Sequence, residues 1–566
     1  MAENKTCKQC SKEFVVEDDD LLFYKKISPT FAGKTFEIPS PILCPECRQM
    51  TRQSWRNETS IYKRDSDKSG VEIVSMYSPD KKSVKVYSND EWWSDAWSGL
   101  DYGRDFVPSR PFFDQFGELL FEVPRFALFN VNNENCPFAN YAMDNKDCYM
   151  SFVSYYGCDN THYSYTAFSV KDSVEVFKSE KVENCYRLGM SDECYNCFYS
   201  LRLHNCSDCW FSVDLIGCRN CIFCSNLSHK EFCIGNEQLT KEEYAKRLRE
   251  YDFGSYDKTK EYLAKFNKLR CDSPVKFSNS INCENCEGDN HKDSRNLKKC
   301  FDQTRCENVK YSAIAVGCKD CQDVHGGDMD QCYLVITGGY GGNYVAAHTV
   351  EHCSNMYYSV YCFYCQDCFG CVGLHHKQYC IFNKQYPSKA EYEQKVSEII
   401  AKMISDEQWG QFFPHKLSPF GFNETFASRN YKLTKEEALK LGFKWQDNDF
   451  GLQYEGVFYE PKDDIGEYQA EENRKSLLSG VLKCEQSGKP FKVISQELAF
   501  YLKHGLPIPR KHYKVRMDEM FEWSNPRQLW HRKCMNEGCQ NEFETTYAPE
   551  RPEKVYCEEC YQKTVI

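Results

Sequence analysis

A regular recurrence of cysteine between residues 185 and 236 constrains this chain more than any other feature. Cysteine returns every 12 residues, while serine and leucine keep a fixed phase with it. An amphipathic helix would instead repeat apolar residues about every 3.6 positions, so the pattern favours stacked units of strand and turn. The positions on this beat are Cys185, Cys197, Cys209, Cys221 and Cys233. The sequence therefore predicts a β-solenoid.

This cysteine-rich stretch occurs twice, because its pattern returns 147 residues later without a gap. A capping box follows each copy: Thr240 stands three residues before Glu243, and Ser388 three before Glu391. Helices at these points would cover the open strand edges of a solenoid. The matched cysteines are Cys185 and Cys332, Cys206 and Cys353, Cys218 and Cys365, Cys221 and Cys368, Cys224 and Cys371, and Cys233 and Cys380. We therefore predict a mainly β fold with a duplicated, cysteine-rich β-solenoid and helical caps.

The size of one coil depends on what the solenoid encloses. Twelve extended residues span roughly 40 Å, so one coil could contain one repeat or two. Bulky rings recur next to the cysteines, among them Tyr186, Phe198 and Trp210. A single-repeat coil encloses little room for such rings, so the sequence favours about 24 residues per coil.

Composition places the chain among reduced metal-binding proteins. It has 566 residues and 35 cysteines, an odd number. The first residues do not form a signal peptide, and no run of roughly 18 apolar residues could cross a membrane. These features predict a reducing cytoplasm rather than a secreted disulfide scaffold. The net charge of −12 means that any contact with nucleic acid must be local.

Two sets of four cysteines lie outside the solenoid and have the spacing of zinc ribbons. Four thiolates satisfy tetrahedral Zn²⁺ and leave no open position for catalysis. The two sets are Cys7, Cys10, Cys44 and Cys47, and Cys534, Cys539, Cys557 and Cys560. The sequence therefore predicts about two structural zinc ions per chain.

The motif around the first set resembles a family of zinc-ribbon domains. The residues that carry the resemblance are Cys7-x2-Cys10-x3-Phe14, Phe23-Tyr24 and Pro41-x2-Cys44-x2-Cys47-Arg48. With the ending Tyr556-Cys557-x2-Cys560, the whole chain resembles a family of cysteine-rich bacterial proteins with a ribbon at each end and a repetitive middle. That resemblance implies fold and metal binding but no activity. The wider family carries a cysteine pair before a Trp-Trp motif, where this chain has Ser88 and Glu91.

The ribbon pattern also returns in damaged form from residue 481 onward. Only Cys484 and His512 remain there as candidate ligands. Because two ligands cannot hold a structural zinc ion, we expect this copy to be free of metal.

The solenoid cysteines admit two main interpretations. Reduced cysteine behaves as a small hydrophobic residue, so the thiols can form a buried ladder. Alternatively, stacked Cys-x2-Cys turns offer thiolates to zinc or to an iron–sulfur cluster, and disulfides are a further alternative. The densest candidates for metal are Cys206, Cys209, Cys218 and Cys221, and Cys362, Cys365, Cys368 and Cys371.

Two groups of basic residues are candidates for nucleic-acid contact. A helix over residues 49–56 would align Arg48, Arg52 and Arg56 in one stripe, which can bind phosphates or simply be solvated. A second group lies beside Trp523 and Trp530, which can stack on bases or belong to the core. The second group contains Arg510, Lys511, Lys514, Arg516 and Arg532.

These features support a non-enzymatic zinc-binding scaffold that engages RNA, a ribonucleoprotein or another protein. One alternative is a metal-handling or redox protein whose cysteine ladder is the site. Another is a β-helix carbohydrate-active enzyme, because β-helix enzymes keep acidic residues on an exposed sheet. The candidates for that role are His325, Asp328, Asp330, His348, His352 and Gly338 to Gly342.

The connector before the solenoid contains a predicted hairpin within residues 70–89, centred on Ser78-Pro79-Asp80. We expect Trp92, Trp93 and Trp97 to form a buried clamp between the zinc module and the solenoid. The predicted modules are a zinc ribbon (1–60), a hairpin and Trp-rich connector (61–130), the first solenoid half (131–235), a capping helix and linker (236–270), the second half (271–382), a capping helix (383–407), an α+β segment (408–480), a degenerate ribbon (481–530) and a zinc ribbon (531–566).

Overall fold

The structure is a computed structural model that describes residues 2–298, 300–304, 306, 315–316, 322, 335–336 and 348–565. It confirms the predicted fold class: a mainly β chain with a cysteine-rich β-solenoid between residues 130 and 381, helical caps and small ribbon-like modules. Of the residues suggested for a carbohydrate enzyme, Asp328, Asp330, His325 and Gly338 to Gly342 lie outside the described residues. His352 is described, and its ring stacks on that of Tyr364 at 4.9 Å.

Most coils of the solenoid contain 12 residues, with 13 from Phe152 to Tyr165 and 11 from Ile281 to Lys292, so the prediction of about 24 is wrong. Parallel pairing joins residues 12 apart, as between Cys209 and Cys221 and between Cys368 and Cys380. One coil carries two short strands, for example Ser207–Trp210 and Val213–Ile216. The coils are therefore half the predicted size.

A three-residue rhythm of the backbone explains how so short a coil closes. Every third residue has a left-handed conformation, for example Asn196, Asn205 and Asp208 with φ of 55°, 51° and 55°. Asparagine and aspartate enter this region more easily than most residues. Each bend turns the next side chain inward, so that four triplets complete one coil. The Cys-x2-Cys spacing of the solenoid is therefore the period of its backbone.

The aromatic rings lie outside the coils, which is why the estimate of coil size failed. The apolar residues of the buried interior are cysteine, alanine, valine and leucine, and the remaining interior positions include small serines such as Ser200 and Ser212. Outside, the rings of Tyr199 and Phe211 stack at 4.8 Å, and those of Phe211 and Phe223 at 5.2 Å. The rings therefore form ladders along the solenoid surface and need no room within it.

The strands of the solenoid are short throughout. In the first half they are Asn130–Val131, Asn140–Met143, Phe152–Tyr155, Asp159–His162, Tyr165–Phe168, Lys171–Glu180, Tyr186–Gly189, Phe198–His204, Ser207–Trp210, Val213–Ile216, Arg219–Ile222, Ser225–Ser228 and Glu231–Ile234. In the second half the described strands are Gly288–Lys292, Cys300–Thr304, Ala315–Val316, His348–Glu351, Ser354–Tyr357, Val360–Phe363, Gln366–Phe369 and Gln378–Ile381.

Both predicted capping helices are present. Glu243 N donates to Thr240 Oγ1 at 3.2 Å at the start of helix Lys241–Leu248. Glu391 N donates to the Ser388 hydroxyl at 3.3 Å at the start of helix Lys389–Ser405. Before each helix, a two-residue strand returns antiparallel to the last solenoid strand. Each half therefore ends with a covered edge.

A small ribbon module occurs four times in the structure, twice before the solenoid and twice after it. In each, the knuckle forms the turn of a hairpin, and a later helix begins beside that knuckle. The hairpin strands and helix are Glu3–Thr6, Glu13–Val16 and Pro45–Gln53 in the first ribbon; Tyr62–Asp65, Glu72–Ser75 and Asn89–Trp93 in the second; Leu482–Lys483, Pro490–Phe491 and Tyr513–Phe521 in the third; and Trp530–Lys533, Glu542–Thr545 and Glu558–Gln562 in the fourth.

One backbone hydrogen bond is common to all four ribbons and fixes the knuckle against the helix start. The donor is the second residue of the knuckle, and the acceptor lies two residues before the helix N-cap. These bonds are Lys8 N to Ile42 O (3.0 Å), Asp67 N to Val86 O (2.8 Å), Glu485 N to Arg510 O (3.0 Å) and Met535 N to Val555 O (3.0 Å). The second ribbon also corrects the predicted hairpin at Ser78-Pro79-Asp80, because the turn lies at residues 66–71.

The second and fourth ribbons each pair with the short strand that precedes one solenoid half. Strand Val86–Tyr87 of the second ribbon pairs with Arg125–Phe126, just before the first half. The ring of Trp92 packs against that of Phe363 in the second half, with the ring centres 5.6 Å apart. Strand Lys554–Tyr556 near the fourth ribbon's helix pairs with Pro274–Lys276, before the second half. The duplication therefore extends beyond the solenoid.

The tryptophan cluster packs on the solenoid as predicted, but only part of it is buried. Trp92 is fully buried, whereas Trp93 is 41% exposed. The rings of Trp92, Trp93 and Trp97 all lie within 6.3 Å of His375.

The remaining helices and strands connect these modules. The helices are Asp18–Ile27, Phe112–Glu122, Tyr256–Asp272, Ala427–Asn430, Lys435–Lys440, Glu471–Ser479 and Ser495–His504. The short strands are Thr30–Phe31, Lys34–Thr35, Glu237–Gln238 and Lys384–Gln385. Single 3-10 turns are Gly99–Tyr102, His415–Leu417, Phe422–Glu424 and Ile465–Gln469.

Candidate metal centres and basic residues

The first ribbon brings its four predicted ligands together. Cys7 directly follows the strand Glu3–Thr6, and Cys44 is the N-cap of the helix Pro45–Gln53. All four Sγ atoms, including those of Cys10 and Cys47, lie within 4.8 Å of one another. The hairpin supplies two of the thiols and the start of the helix supplies the other two, and the fold brings all four together.

The fourth ribbon forms an equivalent tetrad from Cys534, Cys539, Cys557 and Cys560. The longer knuckle accommodates its extra residues through Gly538, whose φ of 80° suits glycine. The amide of Asn541 donates to Cys557 Sγ at 3.4 Å, and the amide of Asn536 donates to Cys560 Sγ at 3.2 Å. These amides would also stabilise the thiolates of a metal complex.

The spacing of the sulfur atoms fits tetrahedral coordination. Thiolates bound about 2.3 Å from Zn²⁺ lie about 3.8 Å apart at the corners of a tetrahedron. The distance from Cys10 Sγ to Cys44 Sγ is 3.7 Å, and that from Cys539 Sγ to Cys557 Sγ is 3.9 Å. Both tetrads can therefore hold a metal ion with little rearrangement.

One thiol of each tetrad ionises more easily than an ordinary cysteine. A hydrogen bond from Cys47, partly opposed by burial, lowers the pKa of Cys44 to about 6. In the fourth ribbon burial raises the pKa of Cys557, but hydrogen bonds from Asn541 and its neighbours lower it to about 7. The hydrogen bond with Cys44 raises the pKa of Cys47 in turn. Because metals bind the thiolate, Cys44 and Cys557 are the thiols best prepared for metal at neutral pH, and the others release their protons on binding.

The second ribbon fills the four ligand positions with residues that bond to one another. Ser66, Ser69, Ser88 and Glu91 stand where the first ribbon has cysteine. Glu91 Oε2 accepts hydrogen bonds from Ser66 Oγ at 2.5 Å and from Ser88 N at 2.9 Å. Although desolvation opposes ionisation, bonds from Ser66 and Ser69 lower the pKa of Glu91 to about 2.

Ser88 and Glu91 stand out in the sequence because they precede Trp92-Trp93, but Ser66 and Ser69, the other two residues of this site, were not predicted. The available signal was the Ser66-x2-Ser69 spacing, which copies a knuckle with oxygen in place of sulfur. In the third ribbon, Ser487 N donates to Cys484 Sγ at 3.4 Å, and Lys514 N donates to His512 Nδ1 at 3.1 Å. Its metal-free state stays a prediction.

The eight solenoid cysteines suggested as metal ligands lie in ladders. Their thiols point to nearby backbone carbonyls, as Cys206 Sγ does to His204 O and Cys365 Sγ to Phe363 O, both at 3.3 Å. Every cysteine that the structure describes is a free thiol. Within the described residues, only the first and fourth ribbons bring three or more candidate ligand atoms within 4.8 Å of one another. The positions in these ladders are Cys206, Cys209, Cys218 and Cys221, and Cys362, Cys365, Cys368 and Cys371.

The predicted basic stripe near the first ribbon is wrong. Arg48, Arg52 and Arg56 are only 6%, 1% and 3% exposed. The helix ends at Gln53, so Arg56 lies beyond it, where its Nε is 2.5 Å from Glu58 Oε1. Helical spacing identified a common face but not the modules that cover it. These three side chains cannot reach phosphates.

The second basic group divides between buried and accessible positions. Arg516 is 3% exposed and forms ion pairs with Glu175 and Glu497. Arg532 donates to backbone carbonyls, and Lys514 is exposed. Arg510 and Lys511 line a cavity together with Arg516. Part of the predicted group therefore converges on one place.

No described helix has both the length and the apolar character needed to cross a bilayer. Comparison with protein-family models, with curated proteins and with solved structures gives no match for this chain. The family resemblance drawn from the cysteine motifs therefore stays a prediction.

Proposed function

We propose that the protein is a non-enzymatic, zinc-stabilised recognition scaffold that engages RNA, a ribonucleoprotein or another protein. The observation that carries this proposal is the pair of closed cysteine tetrads, each with four thiols within 4.8 Å. A tetrad of thiolates fills the coordination sphere of Zn²⁺ and leaves no position for a substrate or water. Such sites order small modules rather than catalyse reactions.

Zinc is the metal that best suits these tetrads. Its d¹⁰ shell imposes no geometry of its own, and structural sites with four cysteines are tetrahedral. The sulfur spacings of 3.7 and 3.9 Å match one ion per tetrad. A scaffold role also agrees with the way the ribbons contact the solenoid, because the rings of Tyr501 and Tyr186 meet at 5.5 Å in the buried core.

Metal analysis of anaerobically purified protein tests the proposal. We expect two zinc ions per chain, one in the variant Cys7→Ser/Cys44→Ser and one in Cys534→Ser/Cys557→Ser. The matched control is Cys209→Ser in the solenoid, which should keep both ions because serine already occupies other interior positions.

Two results would contradict the proposal. A content well above two ions per chain, or iron with visible absorbance, would favour the metal-handling alternative. Loss of zinc in Cys209→Ser with retained folding would place the metal in the solenoid ladder.

A further inference from the structure

A cavity of about 550 Å³ lies where the solenoid surface, a long helix and the third ribbon meet. The helix Tyr256–Asp272 forms one wall. Its size falls within the range of about 300–1,000 Å³ that is typical of small-molecule sites.

The walls of this cavity carry more cations than anions. Six lysine and arginine side chains line it, against three glutamates. Of the glutamates, Glu519 is already paired with Arg187 at 2.8 Å and with Lys511 at 2.5 Å. Neither Lys260 nor Arg270 has a carboxylate within 4.0 Å in the described part of the chain. Arg516 pairs with Glu175 and Glu497 behind the wall, and Arg510 pairs with Asp463 at 3.8 Å. Lys260 and Arg270 are therefore the two wall cations that form no ion pair among the described residues.

Burial strengthens this conclusion for one of the two cations. Desolvation, with a contribution from Arg202, holds the pKa of Arg270 below its usual range. Its guanidinium donates to Asn267 Oδ1 at 3.4 Å and lies 6.0 Å from the centre of the Phe266 ring. A guanidinium held in this way gains from an anionic ligand with oxygen acceptors.

Four buried polar atoms of the cavity residues have no hydrogen-bond partner among the described residues. They are Thr259 Oγ1 and the Nε atoms of Arg187, Arg510 and Arg516. Thr259 and Arg516 are each only 3% exposed. All four atoms are closed to solvent, and Arg187 Nε lies 3.7 Å from Glu175 Oε2. They therefore belong to the tightly packed wall and are not contacts for a ligand in the cavity.

Aromatic rings complete the cavity. Trp523 and Tyr256 belong to its walls, and the Arg510 guanidinium lies 4.3 Å from the centre of the Tyr256 ring. Rings that stack on bases, together with cations that bind phosphates, are the features by which proteins bind nucleotides without reading their sequence.

We propose that this cavity binds a nucleotide, either free or as one unit of a single strand. The phosphate oxygens accept from Lys260 and Arg270, and the base lies against the rings. This inference rests on the recognition role proposed above and narrows its ligand class. It does not depend on the metal sites, so zinc content and nucleotide binding can fail separately.

Calorimetric titration of the full chain with AMP, UMP, pyrophosphate and a ten-residue oligouridylate tests the inference. The variant Lys260→Gln/Arg270→Gln should bind nucleotides at least tenfold more weakly. The matched control is Lys268→Gln, on the same helix but outside the cavity, which should bind like the unmodified protein. Unchanged zinc content and melting temperature show that each variant is folded.

The probes distinguish the source of the ligand. Tighter binding of AMP and UMP than of the oligonucleotide supports a free nucleotide, and the reverse supports a single strand. Pyrophosphate binding as tight as AMP would overturn the role of the rings. Absence of binding by every nucleotide probe at millimolar concentration, or equal binding by both variants, would overturn the proposal.

Discussion

Replacing Arg516 by methionine should weaken the attachment of the third ribbon to the solenoid more than any other single change there. Arg516 lies between Glu175 of the solenoid and Glu497 of the helix Ser495–His504, which lies between the hairpin and the helix of the third ribbon, with Nη2 3.2 Å from Glu497 Oε1. The exposed fractions of these three residues are 3%, 1% and 0%. Because methionine is apolar and of similar length, Arg516→Met removes the charge without leaving a large void.

The expected loss in the free energy of unfolding depends on the partners that each carboxylate keeps in the variant. Removing one partner of a buried ion pair typically costs about 3–5 kcal/mol, because the other charge is left without compensation. Glu497 would retain hydrogen bonds from Tyr501 Oη at 2.7 Å and Tyr163 Oη at 3.1 Å. Glu175 would retain Arg187, whose Nε is 3.7 Å away. We therefore expect a loss near the lower limit, about 3 kcal/mol.

Hydrogen exchange measured by mass spectrometry reports this loss locally, in peptides from the third ribbon and the facing coils. The double variant Arg516→Met/Glu497→Gln should recover at least about 1 kcal/mol, because it leaves one fewer buried charge. Burial already raises the pKa of Glu497, partly opposed by Arg516. Without the arginine this pKa rises further, so the defect should shrink as pH falls through it.

Two outcomes would refute this reasoning. One is a change below about 1 kcal/mol in Arg516→Met, which would mean that the ion cluster contributes little beyond apolar packing. The other is a double variant that is no more stable than the single one.

Two further predictions concern the second ribbon. Glu91→Gln should cost about 1–2 kcal/mol at pH 7, the value expected from a partly exposed carboxylate whose pKa falls from 4.5 to about 2. In the unmodified protein this contribution is complete above pH 4.5 and disappears towards pH 2. The melting temperatures of the two proteins, plotted against pH, should therefore converge towards pH 2. A difference in melting temperature that stays constant with pH would exclude this role of Glu91. The variant Ser66→Cys/Ser69→Cys/Ser88→Cys/Glu91→Cys should bind a third zinc ion, whereas Ser66→Cys/Ser69→Cys alone should not; a folded four-cysteine variant with two zinc ions would show that the ribbon geometries differ.

Periodicity and capping chemistry were sufficient to predict the solenoid and its ends. The 12-residue beat is a direct consequence of the coil, and Thr240 and Ser388 cap helices through local hydrogen bonds. The spacing of the cysteines also predicted both tetrads, because the spacing within a knuckle is set inside one hairpin.

Long-range packing accounts for what the sequence did not predict. Arg48 and Arg52 share a helix face, but the sequence does not show that other modules cover it. Rings such as Tyr199 were placed inside the coil because the left-handed backbone every third residue was not recognised, although Asn196 and Asn205 supplied that signal. The cavity depends on contacts among three distant segments, which no local pattern encodes.

The first and third ribbons show two ways of attaching the same module to the duplicated solenoid. In the third ribbon, which lacks three of the four cysteines, Glu497 meets the solenoid through the charged pair Arg516 and Glu175. In the first ribbon, Asp20 occupies the position of Glu497, and Gln322 stands 147 residues after Glu175. The Gln322 amide donates to Asp20 Oδ1 at 3.1 Å. A neutral amide thus meets the ribbon that can hold metal, and a buried ion cluster meets the ribbon that has lost the tetrad. Because a buried ion pair fixes geometry even where it adds little stability, we infer that the ion cluster orients a module whose knuckle lacks a cysteine tetrad.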